Sequence, residues 1–313
     1  MQIFTAPAML RFLEKKAMQR KTAQDFDQEL LILFDAYVHG VIDRRGFLDR
    51  AQKFAVGGLT AVGLLAALSP NFALAQGVPK NDPRLKTEML DYASPNGHGS
   101  MKGYLARPAN ASGKLPGVLV VHENRGLNPH IEDIARRLAL DGYMAFAPDA
   151  LTPLGGYPGD EDKARELFPK LDQSKTREDF VAAANLRKAR PDCTGKIGVV
   201  GFCYGGGMAH TLAVRLPDLA AAVPFYGNHP PTEDAAKVKA PLLIHFAGVD
   251  ERINAAWPAY EAALKAAGAR YTAHQYLGTQ HGFNNDTTPR FDATAARQAW
   301  DRTVAFFNQT LKT

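Results

Sequence analysis

Cysteine is almost missing from this chain. Among 313 residues only Cys193 and Cys203 occur. They do not form a C-x-x-C pair, which sets aside thiol–disulfide exchange chemistry. A disulfide between them would consume a thiol that a later motif needs, so both are read as free. Cys193, within Pro191-Asp192-Cys193-Thr194-Gly195, is expected to be a turn residue. The nine histidines are scattered and no H-E-x-x-H spacing is present, so neither a metal nor a cofactor is expected. Charge of one sign is also lacking. With 37 Lys and Arg against 32 Asp and Glu, the formal charge is +5. No Arg-rich or aromatic-interleaved block stands out, which argues against a nucleic-acid partner. No internal repeat or low-complexity segment is visible, and Asn110-Ala111-Ser112 and Asn308-Gln309-Thr310 are read as chance acceptor matches.

Long apolar runs are lacking as well. The longest candidate, Phe54 to Leu68, falls short of the roughly 20 residues a membrane helix needs. Its setting is nonetheless distinctive. Asp43-Arg44-Arg45-Gly46-Phe47-Leu48 precedes it, and Ala73-Leu74-Ala75 offers a small-residue cleavage pattern after it. Charged, apolar and A-x-A regions in that order read as a secretory signal. The paired arginines look like a twin-arginine address. Residues 1–75 are therefore expected to engage the twin-arginine export machinery, giving an exported, periplasmic protein of a bacterium. An uncleaved signal would leave a membrane tether, and the alternative is a core helix of the mature domain. Upstream, Asp25 to Gly40 carries apolar residues at helical spacing, an amphipathic helix for which an export chaperone is one partner. The start is either Met1 or Met18.

From Gln76 the pattern is that of one domain, residues 76–313, beginning with a polar linker to Arg84. Strands are expected at Lys102–Arg107, Pro116–Val121, Tyr143–Ala147, Ile197–Val200, Ala221–Tyr226, Pro241–Phe246 and Tyr271–Tyr276. Helices are expected at Ile131–Asp141, Arg177–Lys188, Met208–Arg215, Ala256–Ala267 and Phe291–Leu311. Apolar strands alternating with amphipathic helices predict an α/β fold with a mostly parallel central sheet and helices on both faces. In such sheets the ligand site lies beyond the carboxyl ends of the strands.

One strand end carries the strongest signal. The run Lys196 to Val200 leads into Gly201-Phe202-Cys203-Tyr204-Gly205-Gly206 and then a helix. Strand, sharp glycine turn and helix make the nucleophile elbow of an α/β-hydrolase, with a thiol in place of the usual serine. Two later strand ends supply an acid and a base in the order nucleophile, acid, histidine. Asp250 follows the strand 241–246, with Glu251 as its rival, and His281 follows the strand 271–276 within Gly278-Thr279-Gln280-His281-Gly282-Phe283. The other histidines are expected to be structural, His122 bordering the site. After the strand 116–121 comes His122-Glu123-Asn124-Arg125-Gly126. In this fold that loop gives one oxyanion-hole N–H and the residue after the nucleophile gives the other, here Asn124 and Tyr204. Glu123 is either a proton acceptor or charge partner near the thiol, or a loop glutamate paired with Arg125.

At these residues the chain resembles the dienelactone hydrolase family. The resemblance rests on the cysteine elbow, His122 to Gly126, Gly142-Tyr143 with Ala147-Pro148-Asp149, Asp250, and His281-Gly282-Phe283, and spans roughly residues 85–312. It implies that Cys203 is the nucleophile, that Asp250 and His281 complete its triad, and that Glu123 is linked to the resting thiol and helps generate thiolate. It also implies hydrolysis of a dienelactone (carboxymethylenebutenolide) to maleylacetate without cofactor. Well-studied members hold the substrate carboxylate with arginines, one shortly after the triad histidine. Here Asn284-Asn285-Asp286 follows, and the next arginine is Arg290. The expected activity is thus ester or lactone hydrolysis of a small molecule. A thioesterase or broad esterase on the same machinery is the alternative, and a non-catalytic cell-envelope binding protein a further one.

Overall fold

The computed structural model describes residues 21–74 and 77–313. Met1 and Met18, and Ala75 of the A-x-A pattern, lie outside the described residues. Eight strands form one sheet in the order β1-β2-β4-β3-β5-β6-β7-β8. The strands are β1 (Leu85–Ser94), β2 (Gly99–Pro108), β3 (Leu115–Val121), β4 (Met144–Pro148), β5 (Cys193–Phe202), β6 (Ala221–Phe225), β7 (Leu242–Val249) and β8 (Tyr271–Gln280). The pairs β1–β2 and β2–β4 are antiparallel, and every pair from β4 across to β8 is parallel. The sheet agrees with the α/β expectation.

Strand β1 was not expected. Its burial is intermediate or low along most of its length, as befits an edge strand whose side chains do not report a core. Cys193, expected in a turn, is instead the buried first residue of β5. Its neighbours are polar, so the strand signal there comes from pairing with Leu115 of β3 rather than from composition.

The central strands are apolar on both faces because each face is covered. Val199, Phe146, Ile244 and Leu119 pack with Phe180, Met208 and Leu212 in one core. Val200, Phe202, Val223 and Val118 pack with Ile131, Ile134, Leu138, Ala299 and Phe307 in the other. Burying each large apolar side chain contributes about 1.5–3 kcal/mol.

The N-terminal residues build a separate layer. Helices α1 (Gln28–Val38), α2 (Arg44–Ala51) and α3 (Ala61–Leu68) are capped in turn by Asp27, Asp43 and Thr60, whose side chains accept from Glu29, Gly46 and Gly63 N–H groups. The apolar stretch 54–68 is interrupted by a turn at Gly57-Gly58, both at positive φ, so only its second half is helical. The three helices enclose their own small core of Leu30, Phe34, Tyr37, Phe47, Leu64 and Leu68. Among the described residues, no helix is long and apolar enough to cross a membrane.

This layer is fastened to the sheet domain by polar contacts. The Tyr37 hydroxyl donates to Asp162, and Arg44 pairs with the same carboxylate. Gln28 and Gln280 exchange amide hydrogen bonds, and Asn71 N–H donates to Thr287 O at 2.8 Å. Phe47 is wholly buried, with its ring 5.5 Å from Tyr37 and 6.2 Å from Phe34. Replacing it by Ala should destabilise the layer by about 3–5 kcal/mol. Limited proteolysis should then cut between residues 40 and 60 while the sheet domain stays resistant; wild-type resistance there would contradict this account of the layer.

Candidate active site

Strand β5 ends at Phe202 and a helix, Tyr204–Arg215, begins two residues later. The turn between them leaves Cys203 at φ 56°, ψ −113°, one of only two non-glycine residues at positive φ among those described. A side chain tolerates that conformation only when its surroundings enforce it. They do so by close backbone approach. A Cβ on Gly201 would lie 1.9 Å from the Gly205 carbonyl oxygen, and one on Gly205 would lie 2.2 Å from that of Val121. Cys203 N–H donates to Phe225 O at 3.1 Å, tying the turn to β6. The thiol thus stands beyond the carboxyl ends of β3, β5 and β6, at a helix start. Tyr204 opens that helix, so its N–H has no partner within it.

The ends of β7 and β8 bring Asp250 and His281 together. Asp250 follows β7, and its carboxylate does not cap the short helix Glu251–Asn254 that it precedes. Instead Asp250 Oδ2 accepts from His281 Nδ1 at 2.6 Å, both residues being buried. The rival Glu251 is exposed. With Nδ1 so engaged, His281 Nε2 is buried without a hydrogen-bond partner, and a ring nitrogen of His281 lies within 4.8 Å of Cys203 Sγ. The Tyr226 ring, also at positive φ (36°), packs 4.9 Å from His281 and holds it from below. Nothing in the sequence singled out Tyr226.

The loop after β3 bonds to Asn285 and to the N-terminal layer. Glu123 Oε2 accepts from Asn285 Nδ2 at 2.8 Å, and among the described residues no hydrogen bond joins it to Cys203 or to Arg125. Arg125 donates to Asn124 O and Val38 O, and Asn124 Nδ2 donates to Val38 O at 2.9 Å. His122 is structural: Nδ1 donates to Glu123 O, and Nε2 accepts from Ala150 N–H at 3.1 Å. Burial pushes its pKa down, keeping it a neutral clamp between β3 and β4.

A residue of the N-terminal layer completes the surroundings. His39, just past α1, brings Nε2 to 3.3 Å from Cys203 Sγ. Its Nδ1 donates to Asp35 O at 2.8 Å and faces Asp35 Oδ2 at 3.2 Å. Asp35 in turn pairs with Arg290 at 3.1 Å. Arg290, nine residues after His281 in sequence, folds back so that its guanidinium would lie 3.3 Å from a Cβ on Gly282. Phe34, Val38, Pro70, Arg125, Cys203 and Arg290 are among the walls of a small cavity of about 50 Å³ beside the sulfur.

Electrostatics favours thiolate here. Burial alone would push the Cys203 thiol up, but the positive charges of His39 and His281 and their hydrogen bonds bring it down to about 6. Burial likewise opposes the charged form of each imidazole, while the sulfur's charge and the carboxylates of Asp35 and Asp250 raise both. Asp35 is held well below the usual carboxylate range: burial opposes this, and His39, His281 and Arg290 outweigh it. The donor atoms of His39, Cys203 and His281 are near enough to share a small ion. Against that, the Arg252 guanidinium lies 3.1 Å from His39 Nε2, placing positive charge at the lone pair a cation would need.

Comparison with known proteins adds to this geometry. Residues 101–311 match the model of the dienelactone hydrolase family, and residues 18–56 match a family described as YqhI-like. The hydrolase fragment YghX of Escherichia coli (strain K12) is 57% identical over 114 residues, 36% of this chain and 97% of that one. A candidate carboxymethylenebutenolidase of Escherichia coli O157:H7 is 34% identical over 225 residues, covering 67% of this chain and 83% of the relative. The crystal structure of a candidate dienelactone hydrolase from Klebsiella pneumoniae superposes with a TM-score of 0.63 at 30% identity, over 72% of this chain and 99% of that one. The fold, the cysteine elbow and the family match agree: the chain belongs to the dienelactone hydrolase family and is a hydrolase of ester or lactone bonds.

Proposed function

We propose that the enzyme opens a carboxylic ester or lactone by covalent catalysis at Cys203, with His281 and Asp250 as its base and orienting acid. The observation that carries this reading is the buried Asp250–His281 bond of 2.6 Å, which turns Nε2 toward a thiol held in a strained elbow. The thiolate attacks the carbonyl carbon, and a C–S bond forms. The oxyanion is received by the N–H groups of Asn124 and Tyr204, each such bond being worth roughly 3 kcal/mol in the transition state. The C–O bond then breaks, and the proton given up by the thiol returns through His281 to the departing alkoxide. Water attacks the thioester with His281 as base, and Cys203 leaves as thiolate. Asp250 holds the imidazole in the tautomer this requires.

The substrate reading rests on Arg125 and Arg290, two cations on the wall of the same cavity. They favour an ester or lactone bearing a carboxylate, of the carboxymethylenebutenolide kind. An arginine directly after His281 is unnecessary, because Arg290 reaches the same place through the fold.

Residues 1–75 we read as carrying an export address, supported by the charged, apolar and A-x-A order. Arg44's pairing with Asp162 and the burial of Leu64, Leu65 and Leu68 weigh on the other side.

Five outcomes are expected. Cys203→Ala abolishes turnover of activated esters, and Asp250→Asn lowers kcat by orders of magnitude; in the wild type kcat/KM falls as pH drops through about 6, where the thiolate takes up a proton. Retained turnover in Cys203→Ala would sink the assignment. Arg290→Leu raises KM about tenfold more for carboxylate-bearing esters than for matched neutral ones, a contrast that steady-state kinetics on ester pairs reads directly. Cell fractionation with N-terminal sequencing should find periplasmic protein that keeps its N-terminal layer uncleaved, His39 included; exclusively cytoplasmic protein would refute the export reading.

A further inference from the structure

We propose that Asp35 and His39 form a second carboxylate–imidazole couple of the thiol site, with His39 Nε2 taking the Cys203 proton in the resting enzyme. This rests on the reading of Cys203 as nucleophile. The geometry resembles that of the first couple, with His39 Nδ1 shared between the carbonyl of Asp35 and its carboxylate. Each imidazole has its Nδ1 against an aspartate, Asp250 for His281 and Asp35 for His39. Each presents Nε2 toward the same sulfur, and His39 is in hydrogen-bond contact at 3.3 Å. The two rings meet edge to face with centroids 4.7 Å apart, so the thiol lies in the angle between them.

The placement of His39 is over-determined. Asn124 and Arg125 both donate to Val38 O, the residue before it. Arg290 holds Asp35, four residues before it, at 3.1 Å. These contacts fix the end of α1 against the loops that follow β3 and β8. A side chain that merely covered the thiol would need no carboxylate behind its ring.

The other charged and titratable groups around the sulfur do not replace it. Glu123 is engaged by Asn285. Arg125 and Arg290 are cations that stabilise thiolate and accept no proton. The buried Tyr226 hydroxyl is pushed up by burial and by the nearby anions, and Asp250 is occupied by His281. Arg252 reaches His39 Nε2 at 3.1 Å. A guanidinium only donates, so Arg252 must withdraw from the Nε2 lone pair before a proton takes its place. In the proposed step the proton passes from Sγ to Nε2 and its bonding pair stays on sulfur, giving thiolate and imidazolium with no change in net charge. For this the exposed Arg252 side chain turns out to solvent.

The test uses the full chain and the pH dependence of Cys203 alkylation by iodoacetamide, followed on its own peptide so that Cys193 is counted apart. In His39→Gln the midpoint should rise by about one pH unit or more, making alkylation roughly tenfold slower well below it. Asp35→Asn, which keeps the ring, should move it the same way by less. An unmoved midpoint overturns the proposal. So does faster alkylation at every pH without a shift, the mark of a side chain that only blocks access. Should circular dichroism show that His39→Gln has released α1, the Asp35→Asn midpoint decides. Because the readout is alkylation rather than turnover, an unmoved midpoint alongside Cys203-dependent hydrolysis rejects this couple alone. Turnover surviving in Cys203→Ala rejects the function instead.

Discussion

The site depends on one backbone turn. Cys203 is held at positive φ because β5 ends against a helix start with glycine at both points of closest approach. The turn raises the sulfur above the sheet, where the loops after β3, β7 and β8 converge, and sets it beside unpaired helix N–H groups. Every other functional group is then defined by its distance from that point. Asp250 and His281 arrive on successive parallel strands, so their bond of 2.6 Å follows from strand order and not from any local motif. The strain of a non-glycine residue here, on the order of 1–3 kcal/mol, is borne by the two apolar cores on either side of the sheet.

Placing a nucleophile in that turn creates an electrostatic problem that the rest of the site resolves. Burial disfavours thiolate and would push the thiol above its ordinary value. Two imidazoles reverse this, but they also repel one another when both are charged, and each is backed by its own aspartate. Asp35 lies next to Arg290 and Asp250 next to neither arginine of the cavity wall, so the two couples differ in how freely their carboxylates can share charge. The charge of His281 opposes that of His39 while the sulfur's charge favours both, which suits a cycle in which an imidazolium is formed and discharged in alternation.

The parts of this site that depend on local pattern were legible in the sequence. Gly201, Gly205 and Gly206 around Cys203 announce the elbow, and the ends of the strands after it name Asp250 and His281 without any alignment. What escaped was long-range. Glu123 sits where its loop position predicts, but its partner is Asn285, supplied by a turn 162 residues on. His39 is separated from Cys203 by 164 residues and belongs to a segment whose composition resembles an export signal. Arg290 looked too far from His281 until the intervening turn brought it back against Gly282. Strand β1 was missed because an edge strand with a mostly exposed face carries little apolar alternation.

The N-terminal layer closes what the sheet domain opens. With Phe34, Val38 and Pro70 on its wall, the cavity beside the sulfur is about 50 Å³, room for a few waters and not for an ester with both substituents. An ester with both substituents would fit on this side only if the wall moved. The way the layer is built makes such movement inexpensive relative to unfolding. Its apolar core is its own, drawn wholly from residues before Leu68 and those around them, so displacing it as a unit exposes neither core of the sheet domain. The contacts that would part are mostly polar: Tyr37 and Arg44 at Asp162, Gln28 at Gln280, Asp35 at Arg290, Asn71 at Thr287, Val38 O at Asn124 and Arg125. The exposed pair Arg44–Asp162 contributes only about 0–1 kcal/mol, because water replaces it readily. Such a movement would also carry His39 off the sulfur, so access to the thiol and the loss of its second imidazole would be one event.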